Sequence, residues 1–185
     1  EERQTIFFSA TMKPEIAKLA NKILKDPKRV DVAPKDITAH NIDEQLMFVQ
    51  SENKNDLLFS LLKDEEIERA IVFTRTKHVA ERLTKKLIKI NIKAEAIHGN
   101  KSQNARQRSL TKFRGGRVKV LVATDVAARG IDVDGITHVI NYQLSNEPES
   151  YVHRIGRTAR AGKSGVAITL CDSEEMAFLR AVERF

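Results

Sequence analysis

Four short apolar runs constrain this chain most: AIVF at 70–73, VKVLVAT at 118–124, HVINY at 138–142 and GVAITL at 165–170. They lack the strict alternation of a strand with one wet face. Continuous apolar strands belong to a sheet covered on both faces, which in practice is a parallel one. Between them the spacing turns helical. Val79, Leu83, Leu87 and Ile90 recur every three or four residues, and Leu110 and Phe113 follow Ser102, a good helix cap. Strands alternating with helices predict an α/β fold, doubly wound, with a mainly parallel sheet and helices on both faces.

Further strands are expected at Gln45–Val49 and Ala94–Ile97, a helix at Asn55–Leu62, and a last helix capped by Ser173 and running to Phe185. Upstream, IFF at 6–8 and Arg29–Val32 read as short strands. They flank a helix that Pro14 opens, with Ile16, Leu19, Ala20 and Ile23 on one face, and that stops before Asp26-Pro27. Polar, Pro-containing residues 34–41 read as a linker, dividing the chain into 1–33 and 42–185. The start, EERQTIFFSATM, has no initiator Met and no signal-peptide pattern, and reads as the interior of a longer protein.

The chain of 185 residues carries a net charge of +7, a surplus that attracts polyanions, above all nucleic acid. Eight Phe, two Tyr and no Trp leave few platforms for stacking bases, so a grip on backbone phosphates is expected. Cys171 is the single cysteine, which excludes a disulfide framework and a cysteine-based zinc site and suits a reducing cytoplasm. Its apolar neighbours make it a buried strand residue. No run approaches 18 apolar residues, so no membrane helix is expected.

Polar motifs cluster after the strands, where open α/β sheets collect ligands: Thr74-Arg75-Thr76, His98-Gly99 and Thr124-Asp125. HRIGRTARAG at 153–162 repeats Arg154, Arg157 and Arg160 every three residues, which on a helical turn gives one shared face. The guanidinium fork suits bidentate contact with phosphate, and Gly156 and Gly162 allow close approach. In TDVAARGID at 124–132, Thr124 can donate to a phosphate, Arg129 can neutralise one, Gly130 permits an unusual path, and Asp132 can accept from a ribose hydroxyl. Capping is the plainer role for Thr124 or Asp125. In HGNKSQNAR at 98–106, Ser102, Gln103 and Arg106 start a helix and suit a backbone phosphate. There is no GxxxxGK[ST] loop and no Asp-Glu pair after an apolar strand to hold magnesium. Asp64-Glu65-Glu66 reads as solvated, and no metal ligand set is found. These arginines finish a phosphate site that the chain does not found.

Together the segments resemble the C-terminal RecA-like domain of DEAD-box RNA helicases, over essentially the whole chain. Ser9-Ala10-Thr11 looks like the SAT motif closing the N-terminal RecA-like domain. AIVFTRT resembles motif IV, HGNKSQNAR the QxxR element, TDVAARGID motif V and HRIGRTARAG motif VI. The tail GVAITLCDSEE leans toward the bacterial RhlE-like branch. The resemblance implies an ATP-dependent RNA helicase, an RNA-dependent ATPase when complete and inactive as this piece alone. Arg157 and Arg160 would reach the γ-phosphate of ATP, Arg160 as the finger, with Gly130 and Asp132 at the ribose. Thr76, Gly99, Gln103, Arg106, Thr124 and Arg129 would hold RNA, and Ser9 and Thr11 would couple hydrolysis to strand separation. Mg2+ would be bound mainly through the N-terminal domain. Partners would be RNA, that domain, and RNA-processing or ribosome-assembly proteins, with no membrane.

Two alternatives stand beside this one: a DNA helicase domain of the same superfamily, and an RNA-binding module without catalysis. One departure is visible. Motif VI usually has glycine where this chain has Ala159, and a positive φ there would strain alanine by about 1 kcal/mol or more.

Overall fold

A computed structural model describes residues 3–9, 12, 14–31, 41–128, 131–160 and 163–185, and the statements below concern these residues. The chain divides into two compact units, Glu1–Thr38 and Ala39–Phe185.

In the first unit the expected helix forms as α1, Pro14–Ile23. The strands expected beside it do not. Residues 6–8 are irregular, with Ile6 and Phe8 largely exposed, and residues 29–31 are irregular as well. A strand needs a partner ladder, and the described residues of this unit offer none. Val32 and residues 34–40 of the linker lie outside the described residues.

The second unit is the α/β layer. In chain order it holds β1 (Ile42–Phe48), α2 (Lys54–Leu61), β2 (Ala70–Phe73), α3 (Lys77–Lys89), β3 (Ala94–Ile97), α4 (Gln103–Arg114) and β4 (Val120–Ala123). There follow α5 (Asp125–Ala128), β5 (His138–Asn141), α6 (Pro148–Ile155), β6 (Gly165–Cys171) and α7 (Met176–Glu183). The sheet order is β1-β6-β5-β2-β4-β3, and every described pairing is parallel.

The period of two along each strand sorts the core into two layers. Ala70 and Val72 face a cluster with Leu58 and Leu62 of the α2 segment and Ala80, Leu83 and Leu87 of α3. Ile71 and Phe73 point the other way, to Phe113 of α4 and Ala127 and Ala128 of α5. Both faces are apolar because both are covered, which is why these strands carry no alternation. A third cluster, with Leu144, Cys171 and Leu179, joins β6 to α7.

Two local expectations shift. Strand β1 begins at Ile42, three residues before Gln45, because an edge strand keeps Asp43 and Glu44 in solvent and hydropathy does not mark it. Asp172, not Ser173, is the cap before α7. Its carboxylate accepts from the Glu174 and Glu175 N–H groups at 3.0 and 3.2 Å, opening a short 3-10 turn at Ser173–Glu175 that runs into α7. The same loop is tied to α2 by a buried cluster. Lys54 Nζ lies 2.9 Å from the Asp172 carboxylate, pairs with Glu175, and donates to the Tyr142 carbonyl at 3.3 Å. No helix among the described residues is long and apolar enough to cross a membrane.

Candidate functional site

The carboxyl edge of the sheet gathers the expected polar residues. Thr74, His98 and Thr124 directly follow β2, β3 and β4. Thr76 caps α3, its hydroxyl oxygen accepting from the Val79 N–H, and Thr74 Oγ1 donates to the Thr76 carbonyl at 3.2 Å. Ser102 caps α4 in the same way through the Ala105 N–H. Gly99 is exposed, and a Cβ there would meet no atom within 4 Å, so the fold itself does not demand glycine.

Arg106 is half-buried and bridges two elements. Nη1 donates to Gln103 Oε1 at 3.3 Å and Nη2 to the Ala127 carbonyl of α5 at 3.4 Å. Its Nε, like His98 Nδ1, is buried without a hydrogen-bond partner among the described residues. His98 Nε2 meets Glu81 at 2.8 Å. The Lys101 ammonium, with His98, holds the Glu81 carboxyl below its ordinary value against the opposing effect of burial. Arg129, Gly130, Thr11 and Gly162 lie outside the described residues. Ser9 lies in the first unit.

The three arginines of HRIGRTARAG do not share a face. Helix α6 ends at Ile155, so Arg157 and Arg160 leave it on a turn, while Arg154 is turned inward with its side chain only 1% exposed. The helical phase explains this: Ser150, Arg154 and Ile155 form the buried side of α6. Arg154 Nε and Nη2 grip both carboxylate oxygens of Asp125, at 2.5 and 2.8 Å. Nη1 donates to the Gln143 carbonyl at 2.6 Å and to Asn141 Oδ1 at 3.2 Å, and the guanidinium lies 5.0 Å from the Phe73 ring centre. The sequence reading missed this pair, because nothing local connects residue 125 to residue 154.

Of the outer arginines, Arg157 lines a cleft with Phe73, Asp125 and Ala128 at the carboxyl edge, and it also lines a second cavity with Arg160. In the turn after α6, the Thr158 hydroxyl bonds the carbonyls of Ile136 and Thr137, which lead into β5, so this turn lies toward the amino edge of the sheet. Arg157 donates to the Ile131 carbonyl at 2.9 Å, and Arg160 Nη1 to the Asp132 carboxylate at 2.7 Å. Burial, and next the charge of Arg160, push the Arg157 guanidinium below its ordinary value, with Asp132 opposing. Arg69, Arg157, Arg160 and Lys163 line one cavity of about 240 Å³, with Glu68 the one acid there. Four cations around one lining acid, with Asp132 paired to Arg160, suit a polyphosphate. Among the described residues no group of three or more His, Cys, Asp or Glu is placed to hold a metal ion.

Ala159 has φ of 54°, so the conformation that favours glycine is indeed required. It is imposed from below. A Cβ on Gly165 would overlap the Thr158 side chain and come within 2.8 Å of the Ala159 nitrogen, so the turn is packed directly onto the start of β6.

Residues 53–162 match the family described as helicase conserved C-terminal domain. The solved E. coli DEAD-box protein SrmB, bound to regulator of ribonuclease activity A, is 40% identical, with a TM-score of 0.74 over 77% of this chain and 85% of its own. The chain belongs to the helicase C-terminal domain family, on its DEAD-box side. The DEAD-box ATP-dependent RNA helicase CshA of Bacillus subtilis is 46% identical over 183 residues, 99% of this chain. The S. cerevisiae Dbp5 bound to RNA and ADP BeF3 superposes with a TM-score of 0.83 at 31% identity, over 96% of this chain and 47% of that one. The chain spans about 37% of the length of the Bacillus relative. The relatives named here are CshA, SrmB and Dbp5 proteins, and the finer RhlE-like placement stays an expectation.

Proposed function

We propose that this chain is the C-terminal part of an ATP-dependent RNA helicase, coupling ATP hydrolysis to RNA binding and local duplex unwinding. The observation that carries the reading is the placement of the polar residues in two groups on the second unit, with Arg157 lining clefts toward both. One lies at the carboxyl edge around Thr76, Arg106 and Thr124. The other is the Arg157–Arg160 pair on the turn after α6, with Asp132 of the segment before β5 bonded to Arg160. CshA is named an ATP-dependent RNA helicase, and the Dbp5 structure is of that protein with RNA and a nucleotide, so both ligands are at home in this family.

In this reading the carboxyl edge holds RNA backbone. Hydroxyls of Thr76 and Thr124, the open approach at Gly99, and the side chains of Gln103 and Arg106 supply contacts, and Arg129 is assigned the same role. Such contacts read phosphates and sugars and carry no base preference. ATP is the substrate of the second group. Arg160 and Arg157 stabilise charge developing on the γ-phosphoryl, and Asp132, next to Gly130, accepts from the ribose hydroxyls. The residues that found the triphosphate site and hold Mg2+ belong to an N-terminal RecA-like domain. Residues 1–33, with Ser9 and Thr11, form the end of that domain, residues 34–41 the linker, and residues 42–185 the C-terminal RecA-like domain. Closure of the two domains around RNA brings Arg160 to the nucleotide, which makes turnover depend on RNA. The protein works in the cytoplasm, with RNA-processing or ribosome-assembly proteins as partners.

The test is Arg160→Ala in the full-length protein. RNA-stimulated ATPase activity is expected to be lost while RNA binding without nucleotide persists. Unchanged turnover overturns the assignment.

A further inference from the structure

The amino end of the edge strand β3 carries a groove that neither polar group uses. It is an open cleft of about 590 Å³, and it shares no lining residue with the clefts that Arg157 lines. Helices α3 and α4 lie on opposite faces of the sheet, and their C-terminal ends form its two walls, with the start of β3 between them. Both ends are closed in the same way. Asn91 and Gly116 stand at φ of 64° and 67°, and the next residue bonds back into the helix: the Ile92 N–H to the Leu87 carbonyl and the Arg117 N–H to the Lys112 carbonyl, both at 3.0 Å. The Asn91 and Gly116 N–H groups reach the Ile88 and Phe113 carbonyls. This left-handed closure satisfies the last carbonyls and fixes both walls without a ligand.

The groove has two kinds of surface. Ile92 and Val118 give it an apolar floor. Ile88, one position past the buried seam of Ala80, Leu83 and Leu87 on α3, stays 54% exposed at its rim, and the nearby Ile90 is exposed as well. Around this apolar surface stand Lys93, Lys112 and Arg117. The one acid there, Glu95, is already satisfied: its carboxylate takes the Lys112 ammonium at 2.6 Å and the Ser109 hydroxyl at 3.1 Å. Among the described residues neither Lys93 nor Arg117 meets a carboxylate. A cation in a helix's last turn complements the dipole, which accounts for Lys112 on α4. It does not account for Lys93 and Arg117, which lie beyond the helix ends, nor for the apolar surface left open beside them.

We propose that this groove docks a short acidic segment of a partner protein, whose aliphatic side chains rest on Ile88, Ile92 and Val118 and whose carboxylates pair with Lys93 and Arg117. Charge complementarity selects the acid, and the exposed isoleucines select a protein segment over nucleic acid. An RNA backbone would meet the cations but leave the apolar surface bare, and no aromatic residue lines the groove for a base to stack on. The groove lies at the opposite end of β3 from His98 and Gly99, so a docked segment leaves the carboxyl edge open. Docking of this kind requires neither ATP nor RNA.

The experiment uses the full-length protein and two short fluorescein-labelled peptides of Glu and Leu, one alternating as a strand and one spaced as an amphipathic helix. Fluorescence anisotropy measures their affinity for wild type and for Lys93→Glu, Arg117→Glu and Ile88→Asp. All three side chains are exposed, so folding, followed by circular dichroism, is retained. At least one peptide is expected to bind in the micromolar range, and each variant to weaken it about tenfold or more. A control peptide with Ser in place of Leu is expected to bind about tenfold more weakly than its parent. A labelled single-stranded RNA is expected to bind wild type and variants within about twofold of one another. Peptide binding no tighter than about 1 mM, affinity unmoved by the variants, or full affinity kept by the Ser peptide overturns the proposal. So does a matching loss of RNA affinity in Lys93→Glu and Arg117→Glu, which assigns the groove to nucleic acid.

Discussion

Arg160 donates to the Asp132 carboxylate at 2.7 Å, which joins two side chains assigned to opposite ends of one nucleotide. Asp132 is 85% exposed and Arg160 is 28% exposed, so this is a surface pair, whose contribution to stability is about 1 kcal/mol or less. A weak pair is easily exchanged for a phosphate and a ribose hydroxyl. Asp132→Ala is therefore expected to move the thermal midpoint by no more than about 2–4 °C. In the full-length protein, removing an acceptor of a charge-assisted hydrogen bond is expected to raise the KM for ATP about tenfold. Steady-state kinetics check this, and an unchanged KM removes Asp132 from the nucleotide site.

Ala159→Gly is expected to stabilise the domain. At φ of 54° alanine carries left-handed strain of about 1–2 kcal/mol. Glycine relieves it but adds freedom to the unfolded chain, returning about 0.4–1 kcal/mol. The net gain is about 0.5–1 kcal/mol, or a few degrees in thermal midpoint. The neighbouring Gly165→Ala works oppositely, because its Cβ collides with Thr158 and the Ala159 nitrogen. Differential scanning calorimetry of both variants checks the pair of signs.

These positions also show what the sequence made legible. The buried strands AIVF, VLVA and HVIN and their parallel arrangement follow from apolar runs alone, because burial on both faces leaves little other composition. The exposed start of β1 and the Asp172 cap escaped, since solvent tolerates any polar residue and a cap is set by backbone geometry. At the site, the Ser102 cap was readable because capping acts over three residues, whereas the Thr76 cap of α3 was not read from the sequence. Arg154 was misread as a third surface arginine, because spacing by three was continued past the end of α6, and its true partner lies 29 residues away. Ala159 was readable as a conditional, and only the backbone angle decided it.

His138 gives the domain a pH dependence of known sign. It is nearly buried at the start of β5, and burial pushes its pKa below the ordinary 6.5, with Asp64 and Glu66 opposing. The folded state thus prefers the neutral ring while the unfolded chain takes up the proton, so stability is full above 6.5 and is lost as pH falls toward the folded value. Glu81, with its depressed pKa, loses its contribution only below the ordinary 4.5, outside that window. His138→Gln is expected to flatten the fall in urea midpoint between about pH 7.5 and pH 5. An unaltered slope between the two proteins places the pH dependence elsewhere.

Lys54→Met is expected to be the most damaging of these changes. The ammonium is 3% exposed, with the Asp172 carboxylate at 2.9 Å and Glu175 bonded to it, and Arg75 lies 3.5 Å from Glu175 on the far side. Met matches the stem but leaves two buried carboxylates, with Arg75 ion-paired to Glu175 at 3.5 Å. Breaking a buried pair from one side costs about 3–5 kcal/mol. Adding Glu175→Gln removes one of the stranded charges, so the double variant is expected to be more stable than the sum of the two single losses. Urea denaturation of the single and double variants measures the coupling. A loss below about 1 kcal/mol for Lys54→Met means that water reaches the cluster, and the tie between α2 and the turn before α7 is then a surface contact.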